Sequence, residues 1–243
     1  MPAPITATTM SIKELYRLLA WTSPAFPTGA FSYSHGLEAA AADGAVRDRT
    51  TLEAWVRATI VHGSGRVDAD ILRDAWHAAA AGDDAALAEA NRRGRAYRAT
   101  SELALESSQQ GAAFLATYEA AWSDLHPSAL AGEDGEGRSP EPSEGHCHAA
   151  VFGAAAARAG VALPDALLAY LQAFAANLMS VGLRLGIIGQ NDGQRILAAL
   201  EPVVGAAVEA SLVRGPEDFG AATLALDLAS MAHETQYSRL FRS

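Results

Sequence analysis

Between residues 165 and 188 large apolar side chains recur at spacings that alternate four and three: Leu167, Leu171, Phe174, Leu178, Val181, Leu185 and Ile188. That spacing sets all seven on one side of an α-helix. It cannot be laid on one face of a strand, where the period is two. The seam runs for about six turns. The other faces of the stretch carry mostly small or apolar residues, so this helix has little surface suited to water. A buried helix needs neighbours. The expectation is an all-α chain, a single bundle-like domain over residues 1–243 with about eight to ten helices around this central apolar helix and little or no sheet.

Helix signals recur elsewhere. Ser11 and Glu14 have capping-box spacing, and Ile12, Leu15 and Leu19 follow on one face. Thr50 and Glu53 repeat the signal ahead of Trp55, Val56 and Ile60. Residues 67–81 read as a helix through Val67, Ile71 and Leu72, and residues 84–122 as one or two more, with Leu115, Tyr118 and Trp122 sharing a face. Asn191 and Gln194 cap a helix reaching about residue 213, and Pro216 opens the last one, with Leu224, Leu228 and Met231 on a face. Two segments do not read as helix. Residues 21–36, WTSPAFPTGAFSYSHG, combine two prolines, two glycines and four aromatics, too apolar for a solvated linker. Residues 127–145, rich in Gly, Pro, Ser and Glu, read as a flexible acidic insertion.

The charge balance narrows the function. With 28 acidic and 18 basic residues the net charge is −10, which argues against nucleic acid and against an anionic membrane surface as partners. The most apolar stretch is interrupted by Gln172, Asn177 and Arg184, which favours a core helix over a membrane span. The single cysteine, Cys147, and an N-terminus without a signal pattern fit the cytoplasm.

Catalytic motifs are lacking. The only lysine, Lys13, is in no phosphate-binding loop, and no nucleophile elbow or zincin pair of histidines occurs. The expectation is a protein that is not an enzyme. His146-Cys147-His148 places three metal-ligand types together, but adjacent residues do not readily chelate one ion, so they stand as weak metal candidates beside a purely structural reading. His35, His62, His77 and His126 are isolated and read as structural. Arg92, Arg93, Arg95 and Arg98 form a basic face that either meets an acidic partner or pairs with Glu102 and Glu106. At the end of the chain Tyr237, Leu240 and Phe241 stand at i, i+3 and i+4, one face of a short helix flanked by Arg239 and Arg242. Large apolar groups at a place where chains usually fray imply docking, on this chain or on a partner.

Three ordered segments carry a resemblance. SPAFPTGAFSYSHGLE (23–38), GQNDGQ (189–194) and SMAHETQYSRLFRS (230–243) resemble the N-terminal, mid-chain and C-terminal signatures of the urease accessory protein UreF family, over roughly residues 11–126 and 146–243. Three departures stand out: the acidic insertion, His148 where the family has proline, and Ala232 where arginine is common. The resemblance implies an all-helical, dimeric, non-enzymatic scaffold for nickel incorporation into apo-urease. It implies UreD (UreH in some species) and the GTPase UreG as partners that the scaffold bridges, with nickel as the delivered ion and no stably bound cofactor. It carries the contact with UreD onto the tail 233–243, through Tyr237, Arg239, Leu240, Phe241 and Arg242. A structural or partner-facing role passes to the loop with Phe31 and Tyr33. The alternative is a carrier that itself binds nickel through His146-Cys147-His148.

Overall fold

A computed structural model describes residues 10–122 and 145–243. The helices are α1 (Ile12–Trp21), α2 (Leu37–Ala42), α3 (Arg49–His62), α4 (Ser64–Ala81), α5 (Asp84–Ala96), α6 (Ser101–Ala121), α7 (His148–Arg158), α8 (Leu163–Arg184), α9 (Gln190–Val213) and α10 (Leu224–Glu234), with 3₁₀ turns at Ala30–Ser32 and Pro216–Asp218. No strand occurs among the described residues, so the all-α expectation holds. The acidic insertion and His126 lie outside the described residues, except for Gly145 at the end of the insertion.

The apolar seam forms α8, which touches α1, α2, α3, α4, α7 and α9. Leu167, Leu171, Leu178 and Val181 are almost fully buried, as alternating four-three spacing requires. Leu185 closes the helix as its C-cap, and Ile188 is buried in the turn that follows. α8 and α9 are each long and apolar enough to cross a membrane by length and composition, but half of the apolar window of α8 is buried inside the fold.

The closest approach between helices lies elsewhere. In α7 every residue from Ala149 to Ala156 is buried. Alanine and glycine let its backbone press on α4, and a methyl group on Gly153 would overlap the Leu72 carbonyl oxygen. Trp21 closes the α1 side, meeting Phe114, Tyr118, Trp122 and Phe152 edge-on at centroid distances of 5.6 to 6.3 Å. Such edge contacts suit the ring quadrupoles.

Several local expectations are corrected. The Ser11–Glu14 capping box forms, but the cap of α3 is Asp48 with Thr51, not Thr50 with Glu53. Asp48 wins because its carboxylate accepts the Thr51 amide at 2.9 Å while the Thr51 hydroxyl accepts the Asp48 amide at 3.1 Å. α4 starts three residues earlier than 67. Asn191 and Gln194 lie inside α9, which begins after an uncapped Gly189. Pro216 opens only a 3₁₀ turn, and the last helix starts at Leu224.

Candidate functional site

The loop after α1 is shaped by residues in left-handed backbone. Gly29 (φ 77°) precedes the 3₁₀ turn, and His35 (φ 58°) and Gly36 (φ 76°) turn the chain into α2. Gly36 is required twice over. Its φ suits glycine, and a Cβ there would come within 2.9 Å of the Ser230 backbone nitrogen on α10. For His35 the same conformation carries a cost that its partners offset. Its Nδ1 lies 3.2 Å from Glu106 Oε2, and its Nε2 lies 2.6 Å from Ser64 Oγ.

The tail does not continue as helix. α10 ends at Glu234, and residues 239–243 run beside the loop instead, which corrects the helical reading of Tyr237, Leu240 and Phe241. The Arg242 amide donates to Ser32 O and the Ser34 amide to Ser243 O, both at 2.8 Å. The Ser34 hydroxyl also donates to Ser243 O. Tyr33 Oη and Arg242 Nη1 meet on Gln109 Oε1. The guanidinium of Arg184 lies 4.0 Å from the Phe31 ring centre and 4.3 Å from that of Phe241, fastening both segments to α8.

Beneath this pairing lies a buried cluster of charge. His233 is fully enclosed between two carboxylates, its Nδ1 2.7 Å from Glu102 Oε2 and its Nε2 3.1 Å from Glu38 Oε2. The ring thus bridges the two carboxylates through its two nitrogens. Each carboxylate then reaches the tail. Glu38 accepts the Leu240 amide at 2.7 Å and the Phe241 amide at 3.0 Å, and Glu102 accepts Arg239 Nη1 at 2.6 Å. One turn along α6, Glu106 accepts the Ser243 hydroxyl at 2.9 Å.

Behind His35 and Glu106 opens a cavity of about 800 Å³, roofed by residues 22–31 and floored by α7 and α8. Its inner wall holds a buried ion pair, Arg98 Nη2 to Asp68 Oδ1 at 2.7 Å, with the Tyr170 hydroxyl donating to Asp68 Oδ2 at 3.0 Å. His148 lines the same cavity between the rings of Phe114, Phe152 and Tyr170. Burial is the main force lowering its pKa to about 4, Arg98 adds to it, and Asp68 and Glu106 oppose it, so the ring is neutral near pH 7.

The residues singled out from sequence therefore divide. Phe31, Tyr33 and residues 239–243 of the tail come together, although they lie about two hundred positions apart. Tyr237, Leu240 and Phe31 are exposed, whereas Tyr33 and Phe241 are buried, at 2% and 5% exposure, and so present no ring outward. His146, Cys147 and His148 point apart. Cys147 Sγ is enclosed beside Arg98 Nη2 at 3.2 Å, and His148 faces the cavity. No group of three or more His, Cys, Asp or Glu side chains placed to hold a metal ion occurs among the described residues. Three arginines of the basic face pair within the fold with other carboxylates: Arg92 with Glu89, Arg93 with Asp74 and Arg98 with Asp68. Sequence reasoning gave Glu38, Glu102, Glu106, His233 and Arg184 no part in this surface: Glu102 and Glu106 figured as partners of the arginine face, and Glu38 and His233 only as members of the two signature segments. One further signal was the spacing of four between Glu102 and Glu106, which sets both on one face of α6.

Comparison with known proteins decides the relationship. The UreF family model matches residues 46–201. The urease accessory protein UreF of Granulibacter bethesdensis is 46% identical over 230 residues, 94% of both chains. The chain belongs to the UreF family. Other UreF proteins are similarly close: that of Rhodopseudomonas palustris strain HaA2 is 43% identical over 95% of this chain and 94% of its own, and that of Azorhizobium caulinodans 44% over 93% and 94%. The match with the relatives spans nearly the whole chain, whereas the UreF model stops short of both the loop and the tail that form the surface described above.

Proposed function

We propose that this chain is a non-enzymatic scaffold of nickel-urease maturation that bridges UreD and the GTPase UreG. It works in the cytoplasm as a homodimer, and the assembly passes nickel to apo-urease. The observation that carries this reading is the composite surface. The two signature segments at opposite ends of the chain pair through Ser32–Arg242 and Ser34–Ser243, and they leave Phe31, Tyr237, Leu240 and the Arg242 head on the outside. Apolar anchors beside a guanidinium are what a protein interface uses. In this reading Tyr237 and Leu240 are the contacts with UreD, Arg239 and Arg242 set orientation, and Phe241 anchors the tail from beneath. The scaffold supplies position, not covalent chemistry, and biases UreG toward one state by binding it better than the other.

Co-purification tests this. The chain is expected to retain UreD and UreG together, and a chain that is folded by circular dichroism yet holds neither ends the proposal. The carrier alternative draws on the neutral imidazole of His148 and the buried Nδ1 of His146, which has no hydrogen-bond partner among the described residues. Nickel calorimetry on the wild type and on a His146→Ala/His148→Ala variant separates the two readings. Heat that the double variant loses would favour the carrier.

A further inference from the structure

We propose that His233 is a positioning residue for partner docking, acting through Glu38 and Glu102, which it locks into the geometry that seats the tail. This rests on the docking role proposed for the tail.

The argument starts from what His233 does not do. It is fully enclosed and reaches no surface, so it cannot touch a partner. Yet, among the described residues, its ring is the only group that binds both carboxylates that hold residues 239–241. Glu38 comes from α2, Glu102 from α6 and His233 from α10. The three helices that carry the tail are therefore joined at one imidazole. Without the ring between them, two carboxylates would face one another in a buried space, a mutual repulsion that a low-dielectric interior magnifies. Either would relieve it by turning away. A Glu38 that turned away would no longer accept the Leu240 and Phe241 amides, and the bonds that hold the tail would be weakened. Leu240 is 66% exposed next to the buried Phe241, so its outward direction is set by these two amide bonds. The other titratable and charged groups around the cluster are Arg239 on the tail, Glu106 on α6, Glu234 at the end of α10 and His35 on the loop; of the carboxylates, Arg239 meets Glu102 and His35 meets Glu106, while Glu234 accepts from the Glu102 amide.

The test uses His233→Gln, which keeps bulk but loses the ring that spans the two carboxylates. Glu38→Gln is the second variant should the first fail to fold, and Leu240→Asp alters the surface alone. Two quantities are read: amide hydrogen exchange at Leu240 and Phe241 in the isolated chain, and retention of UreD. In either hub variant, exchange at these amides is expected to rise about tenfold or more, the size expected for weakening a charge-assisted bond, and UreD retention is expected to fall. Leu240→Asp is expected to lose UreD with exchange at Phe241 unchanged. A double variant, His233→Gln with Leu240→Asp, is expected to bind no worse than Leu240→Asp alone, because His233 acts through the tail. Unchanged exchange in both hub variants overturns the proposal. So does faster exchange with full UreD retention, if Leu240→Asp still loses UreD. If Leu240→Asp itself retains UreD, the docking role of the tail is what fails.

Discussion

Cys147 and His148 are neighbours in sequence with unlike surroundings, and that difference has a consequence for pH. His148 lies among aromatic rings with its pKa near 4, against an ordinary value of 6.5. As pH falls, the unfolded chain takes up the proton first. The stability that this residue contributes is complete above pH 6.5 and is lost progressively as the pH drops toward 4. Burial lowers the pKa of His146 as well, so the two act in the same direction. His148→Gln is expected to flatten the acid side of the stability curve, measured by urea unfolding at several pH values, and the imidazole signal of the native wild type should not titrate until well below pH 6. An unchanged acid slope in the variant would show that the ring is solvated in the folded chain.

Helix packing makes a second demand. Gly153 faces the Leu72 carbonyl, a backbone group that cannot swing aside. Gly153→Ala should therefore destabilise the fold by about 1–3 kcal/mol, as overpacking does, despite the better helix propensity of alanine; chemical denaturation measures it, and a neutral or stabilising result would mean that α7 and α4 sit farther apart. The same elements show what could be read in advance. The seam of α8 was legible because seven apolar residues repeat over a length that only one conformation satisfies. α7 was not, because a run of alanines has no apolar periodicity, and its burial comes from how closely its backbone packs. α2, at six residues, is too short to show a face. The tail misled for a different reason. Its i, i+3, i+4 pattern suits a helix, but the amides of Leu240 and Phe241 bond to Glu38 and that of Arg242 to Ser32. Those acceptors lie some two hundred residues away in sequence, beyond any local window. The convergence of loop and tail was open to sequence reading only as two separate apolar segments, and the polar cluster beneath them draws on three elements, with Glu38 and His233 at opposite ends of the chain and Glu102 between them.

At the scale of the whole molecule, the tail belongs to the fold and to the surface at once. Removing residues 239–243 takes away Phe241 from the core and the hydrogen bonds to Glu38, but no helical residue. The helical signal is expected to persist, with a lowered midpoint of thermal unfolding, while UreD is no longer retained. Collapse of the helical signal would make the tail a keystone of the bundle instead. The pairing of Ser34 with Ser243 also bears on the order in which the molecule is built. Its two halves are separated by 209 positions, so during synthesis the loop leaves the ribosome long before its counterpart exists. Helix pairs close in sequence, such as α3 with α4, can settle early. The composite surface forms only once both segments have been made. A partner that needs both halves therefore passes over chains that have not yet been made through residue 243.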